Sequence, residues 1–394
     1  MNKYPSDFFD NTAVAFAYKS SKALKNARFV FTSAHNAWFV DISTGMIRFA
    51  LKWKLPIKFI IRNTVFKHFC GGEDINECQA TARNLNAFHV GAILDYSVEG
   101  ADNESGFNKT VAETIRTIEI ANQEPKSPFC VFKPTGIAPK SLLEKKQNGE
   151  SLSSIDQEEY EKLVKRFEKI ASAAHKHQVR LLIDAEETWY QESIDIIVYD
   201  LMKKYNRERA IIFNTYQMYR TASLGNIEIA LNQAKEKGYK LGVKLVRGAY
   251  LERERMRAKE KGYPDPIQPD KESTDRDYNN ALRYSVEHIH TIEVFNGTHN
   301  EYSSWYLTDL IQKESLDPKD SRIWFAQLYG MSDHISFVLA KEGYNVAKYV
   351  PYGPVEAVMP YLFRRADENT SIAGQTNKEL GLIQKELKRR SKSN

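Results

Sequence analysis

VAKYVPYGPVEAVMPYLFRRADEN (346–369) runs from an apolar strand through a Pro/Gly turn into a helix that carries two adjacent arginines. If the strand is the last of a set, this is the eighth β/α unit of a barrel. Neighbouring helical side chains point about 100° apart, so Arg364 and Arg365 reach one anion together only near a helix end or beside a cavity. Paired guanidinium groups in that setting suit a small carboxylate ligand held by planar forks of donors. The same pair on an open helix would simply be solvated. Tyr349 at the end of the strand and Glu368 three residues beyond Arg365 favour the binding reading.

Working back from this unit, seven more short apolar or β-branched runs follow the same pattern: 90–97, 129–134, 179–186, 210–217, 241–250, 291–300 and 322–330. Helical periodicity separates them. The clearest case is Tyr160, Leu163, Val164, Phe167, Ile170, Ala171 and Ala174, a stripe that cannot lie flat as a strand. Eight alternations of strand and helix, with strands apolar on both faces, predict an α/β fold of the (β/α)8 TIM-like barrel class. A doubly wound open sheet is the competing layout, and its G-x-G-x-x-G fingerprint is absent from the sequence. The predicted organisation is an N-terminal helical arm over 1–88, a catalytic barrel over 89–375 and a basic C-terminal helix and tail over 376–394. In the arm, PIKFIIRNTVFKHFCGG (56–72) reads as a Pro-started, Gly-ended helix, and the stretch from Glu73 to Phe88 as the next. The charged, Pro/Gly/Ser-rich stretches 136–155 and 257–275 read as surface insertions.

With 42% hydrophobic and 27% charged residues, the chain has the composition of a folded globular protein and not of a disordered one. A net charge of +5 is small beside 56 basic and 51 acidic residues, so no nucleic-acid partner is expected. No run approaches the roughly 18 apolar residues of a membrane span. The N-terminus carries acids and resembles neither a secretion signal nor an Arg-rich transit peptide, which points to the cytoplasm. Cys70, Cys78 and Cys130 lack metal-ligand spacing and read as reduced structural thiols, so no metal is expected.

In such a barrel the active site lies at the C-terminal ends of the strands. The polar candidates there are Asp95, Lys133, Asp184 with Glu186 and Glu187, Asn214, Gln217, Lys244, Arg247 with Tyr250, Thr298, His299, Asn300, Gln327 and Tyr349. Taken singly each has a bland reading: Asn214 as a backbone cap, His299 as a satisfied core histidine, Glu186 and Glu187 as solvent-facing. Together they form a cation-rich, amide-rich set without an activated nucleophile, since Ser-His-Asp, H-E-x-x-H and Walker signatures are all missing. A phosphate-bearing cofactor with a carboxylate substrate would balance Lys133, Lys244, Arg247, Arg364 and Arg365 at once.

KLVRGAYLERER, DAEETW, FNTYQMY, GTHN, QLYGMSDH and YVPYG followed by YLFRRADEN resemble, in order and over roughly 85–375, the barrel motifs of the proline dehydrogenases. The resemblance implies an FAD-dependent, monofunctional enzyme that oxidises L-proline to Δ1-pyrroline-5-carboxylate. It also implies roles by position. Arg364 and Arg365 would clamp the substrate carboxylate, and Lys133 would stand near that carboxylate and the flavin edge. Asp184 would belong to the substrate shell, while Tyr250, Tyr349 and Leu328 would wall the proline ring. Asn214 or Gln217, Lys244, Arg247, Thr298, His299 and Asn300 would line the FAD, with Glu368 near the flavin or the arginine pair. Some relatives carry arginine where Lys244 stands. A quinone-type electron acceptor and transient contact with the membrane surface, at its inner face, are implied too.

Two alternatives stay open. One is a hydroxyproline dehydrogenase of the same family. The other, of a different class, is an aldolase-type barrel with Lys133 or Lys244 as a Schiff base, which needs a lysine with a lowered pKa. Oligomeric state is not legible.

Overall fold

All eight apolar runs form strands: β1 Val90–Tyr96, β2 Phe129–Phe132, β3 Arg180–Ile183, β4 Ile212–Gln217, β5 Leu241–Val246, β6 Ile292–Gly297, β7 Ile323–Leu328 and β8 Val346–Tyr352. In this computed structural model the description covers residues 4–34, 58–97, 103–124, 128–371 and 373–392, without side chains over 366–376. The strands make one eight-stranded sheet in the order β1-β8-β7-β6-β5-β4-β3-β2, with parallel pairing of β1 to β8 and through β2 to β7, and helices fill the crossovers. This is the (β/α)8 barrel class that the alternation predicts. Strands end sooner than the apolar runs do, at 183, 246, 297 and 328, so the polar residues beyond them stand on loops.

The chain divides into two compact units, Met1–Tyr4 with Gly100–Ala326, and Pro5–Glu99 with Gln327–Asn394. The first is centred on aromatic packing: the Phe129 ring meets Phe213, Phe295 and Trp324 edge-on at centroid distances of 6.1, 5.0 and 4.9 Å. At the N-terminal ends of its strands, buried Arg180 pairs with Glu293 at 3.0 Å and donates to the Ser321 carbonyl at 2.8 Å. That plug satisfies a polar pair far along the strands from the site.

The stripe from Tyr160 to Ala174 lies on the helix Ser154–Lys176, whose start is fixed by a capping box between Ser153 and Asp156. The stretches expected as surface insertions are more ordered than that. They contain the helix Lys140–Gln147, entered after Pro139, and the C-terminal part of Leu251–Lys261, which stops at left-handed Gly262. Charge and Pro/Gly content hid them, because each helix buries only two residues.

In the second unit, Val30, Phe66, Phe69, Val355, Met359 and Leu362 form one apolar cluster. Leu24, Ala27 and Phe31 form another with Leu382 and Ile383, which docks the C-terminal helix Ala373–Lys392 on the helix Ser21–Ala34. The arm helix read from Pro56 appears from Lys58 to Phe69 with a π-turn at Arg62–Phe66, its first residues lying outside the described ones. The helix Ile75–Asn86 follows, capped by Asp74.

Candidate functional site

Asp184, directly after β3, is the hinge of the first unit's polar cluster. Its Oδ2 accepts from Lys133 Nζ at 3.1 Å and its Oδ1 from Lys244 Nζ at 2.5 Å. Lys133 follows β2 and Lys244 is buried within β5, so three strands contribute to one charged group. Burial alone would raise the Asp184 pKa. The two ammonium groups outweigh it and hold the carboxyl below its ordinary range. Two cations against one carboxylate leave this trio with a net charge of +1.

Arg247 is fixed on three sides: Nε donates to Asp275 Oδ1 at 2.7 Å, Nη1 to Thr298 Oγ1 at 2.5 Å and Nη2 to Ser303 Oγ at 3.0 Å. Its guanidinium lies 4.4 Å over the Tyr278 ring. The next residue, Gly248, has φ +135, and a Cβ there would fall 2.6 Å from the Tyr219 ring. Only glycine allows the chain to turn there and bring Arg247 and Tyr250 off the same strand end.

Glu186 and Glu187 do not face solvent. Glu186 Oε1 accepts from the Thr135 amide at 3.1 Å and its hydroxyl at 2.7 Å, and Oε2 accepts from the Tyr250 hydroxyl at 3.3 Å. Burial raises the Glu186 pKa against the opposing pull of Lys133 and Thr135. Glu187 is fully buried, bonded by Tyr190 and paired with Arg253. The doubled acid after an apolar strand was the available signal, and its direction was not.

The amides hold backbone in place. Gln217 Nε2 donates to the Glu186 carbonyl at 2.7 Å, and its Oε1 accepts from the Ala249 amide at 3.3 Å. Asn214 Nδ2 donates to Asp195 at 2.9 Å. Asn300 caps the helix Glu301–Lys313 by accepting from the Ser303 amide at 2.9 Å. Thr298 is buried and His299 half-buried at the end of β6. The excess cation, together with hydroxyl and amide groups on adjacent strand ends, fits an electron-rich, phosphate-bearing group better than a metal. Among the described residues no cluster of three or more His, Cys, Asp or Glu could hold a metal ion.

The second unit holds the other predicted residues. Arg365 is buried, with its guanidinium 5.1 Å over the Tyr361 ring, and Arg364 is half-buried on the same helix, Met359–Ser371. Tyr349 is buried in β8. Leu328 ends β7 and packs on the Val30 to Leu362 cluster. Of the remaining strand-end candidates, Asp95 accepts from Ser97 at 2.7 Å and Gln327 from Ser336 at 2.7 Å. The side chain of Glu368 lies outside the described residues.

The family model described as proline dehydrogenase matches residues 78–378. The chain belongs to the proline dehydrogenase family. "Proline dehydrogenase 1, mitochondrial" of Dictyostelium discoideum is 34% identical over 379 residues, covering 85% of this chain and 66% of that protein. "Carbapenem antibiotics biosynthesis protein CarD" of Pectobacterium carotovorum is 36% identical over 323 residues, covering 82% of this chain and 83% of that protein. The structure of proline utilization A from Bdellovibrio bacteriovorus, inactivated by N-propargylglycine, matches with a TM-score of 0.72 at 19% identity, over 91% of this chain and 38% of that one. That last likeness speaks for the fold. The chain spans about two thirds of the Dictyostelium relative and less than half of the Bdellovibrio protein.

The relatives correct one expectation. The Dictyostelium proline dehydrogenase is named as mitochondrial, as are relatives from animals and a plant, and this overturns the cytoplasmic assignment. Reduced thiols and balanced charge suit either compartment, and a barrel core carries no mark of its destination. Among the described residues no helix is long and apolar enough to cross a membrane.

Proposed function

We propose that this chain oxidises L-proline to Δ1-pyrroline-5-carboxylate with FAD as its resident cofactor. The observation that carries the reading is the net-positive Lys133–Asp184–Lys244 cluster, drawn from the ends of β2 and β3 and from within β5, in a chain of this family. When bound, FAD would supply the acceptor at N5 for the hydride that leaves the substrate C5. Gln217, Asn214, Lys244, Arg247, Thr298, His299 and Asn300 would hold it, with Glu368 beside it. Three contacts already orient the Arg247 fork, so its rotamer needs no ordering on binding.

Arg364 and Arg365 would take the substrate carboxylate, with Lys133 adding a third cation. Asp184 keeps Lys133 and Lys244 in place by accepting from both. Tyr250, Tyr349 and Leu328 would present apolar surface to the pyrrolidine ring, and the Glu186 contact orients Tyr250. The ring nitrogen would release a proton to solvent as the imine forms. A quinone-type acceptor, met in transient contact with a membrane surface, would then take the electrons.

A Schiff-base reading fares worse. It needs an amine free to attack a carbonyl, and Asp184 holds both amines, at 3.1 and 2.5 Å. The test is turnover of L-proline and trans-4-hydroxyproline with an artificial electron acceptor. Faster oxidation of proline supports the proposal, no oxidation of either rejects it, and preference for hydroxyproline moves the chain to the sister activity.

A further inference from the structure

We infer that Lys348 is a positioning residue for the substrate wall: its buried ammonium fixes the turn after Leu328 against the strand that carries Tyr349, with Asp333 as counter-charge. The inference rests on the proposed roles of Leu328 and Tyr349. Lys348 lies in the middle of β8 and is fully buried, a rare state for lysine. Its Nζ donates to the Met331 carbonyl at 2.5 Å and the Leu328 carbonyl at 3.3 Å, and pairs with Asp333 Oδ1 at 3.0 Å. One side chain therefore grips both ends of the turn that leaves β7. The Tyr329 amide donates to the Tyr349 carbonyl at 2.8 Å, which ties the residue after one wall to the backbone of the other.

Within the turn the Met331 amide donates to the Leu328 carbonyl at 3.2 Å, so Lys348 adds a second donor to that oxygen. Gly330 and Ser332 have φ +84 and +52, both in the left-handed region. A Cβ on Gly330 would lie 2.3 Å from the His68 carbonyl, and the Ser332 amide is held by Glu379 Oε1 at 2.9 Å. An apolar side chain of similar length would fill the Lys348 space without the cost of burying an ammonium. What it could not supply is a donor for two turn carbonyls. Asp333 also accepts from Lys19 at 2.7 Å and from the Tyr18 hydroxyl at 3.0 Å. Burial alone would raise the Asp333 pKa, but Lys19 and Lys348 outweigh it and hold the carboxyl well below its usual range. Burial pulls the Lys348 pKa down from its ordinary value, against the opposing pull of Asp333.

The experiment compares full-chain holoenzymes. Lys348→Met paired with Asp333→Asn removes both charges of the buried pair; Lys19, whose side chain is 10% exposed, also loses Asp333, and the Lys19→Met variant controls for that loss. Lys19→Met weakens the same network yet leaves Lys348 its two carbonyls. The double variant should raise KM for L-proline about tenfold, keep kcat within about threefold, and lower the ratio of kcat/KM for proline over trans-4-hydroxyproline about tenfold. FAD content should match wild type. Lys19→Met should lower the Tm and leave KM and the ratio within about threefold. Wild-type values in the double variant overturn the inference, as does an equal change in Lys19→Met, which would show only general loosening. A failure of the double variant to fold also counts against it, since positioning alone does not demand the charges for folding. If proline does not reduce the wild type, the functional reading falls and this inference with it.

Discussion

Asp184→Asn isolates charge from shape. Asparagine fills the same space, so what changes is that Lys133 and Lys244 lose the carboxylate they share at 3.1 and 2.5 Å. The trio goes from +1 to +2 with the Lys244 ammonium buried. Removing one partner of a buried ion pair costs about 3–5 kcal/mol. Lys133 is 27% exposed and screened by water, so the lower end, about 3 kcal/mol, applies here. Unfolding entropy near 2.1 cal/mol/K per residue over 394 residues is about 0.8 kcal/mol/K, which converts that loss to a Tm drop of about 4 °C. The pH dependence follows from the depressed Asp184 pKa. A carboxyl held lower in the folded state stabilises above its unfolded value of about 3.9, and the contribution disappears as pH falls through the folded value. The gap in Tm between wild type and variant should therefore be full at pH 7 and narrow below about pH 4. Scanning calorimetry from pH 7 to pH 3 checks both. Equal Tm at pH 7, or a gap that widens on acidification, refutes the ion-pair account.

Three further outcomes follow. Arg364→Met or Arg365→Met should lower kcat/KM for L-proline by a hundredfold or more, consistent with about 3–5 kcal/mol of lost ionic pairing, at constant flavin content; near wild-type efficiency would remove that arginine from the clamp. Tyr349→Ser should lower the proline-to-hydroxyproline ratio of kcat/KM about ten- to two-hundredfold, because a serine admits and bonds a C4 hydroxyl where the phenol offers apolar area; steady-state kinetics on both substrates decide it. Glu186→Ala leaves the Thr135 amide and hydroxyl without their acceptor and should cost about 1–3 kcal/mol in urea unfolding, whereas Glu186→Gln should cost less than half as much.

The barrel was legible because buried parallel strands must be apolar throughout and must alternate with helices, and both patterns survive in runs such as RLLI and LGVKLV. Lys133, Asp184, Lys244 and Arg247 stand out in the sequence for a related reason: they interrupt or end those runs. Their pairing was not, since 51 and 60 residues separate Asp184 from its two lysines and spacing does not encode which strand ends meet. Glu186 and Glu187 were among the candidates, but their burial was not legible, because acids after a strand look solvated until their partners are seen. Lys348 escaped because a single lysine in a strand reads as an outward residue, and its partners are backbone carbonyls that no sequence pattern marks. The helix Lys140–Gln147 and the end of Leu251–Lys261 were hidden by charge, since each helix buries only two residues.

The central claim, a flavin site that oxidises proline, meets its most direct test in one absorbance experiment. The purified protein is recorded from 300 to 550 nm without oxygen, before and after L-proline is added. A flavin spectrum that bleaches with proline is the predicted result. A protein that stays colourless after incubation with FAD, or a bound flavin that proline leaves oxidised, would contradict it.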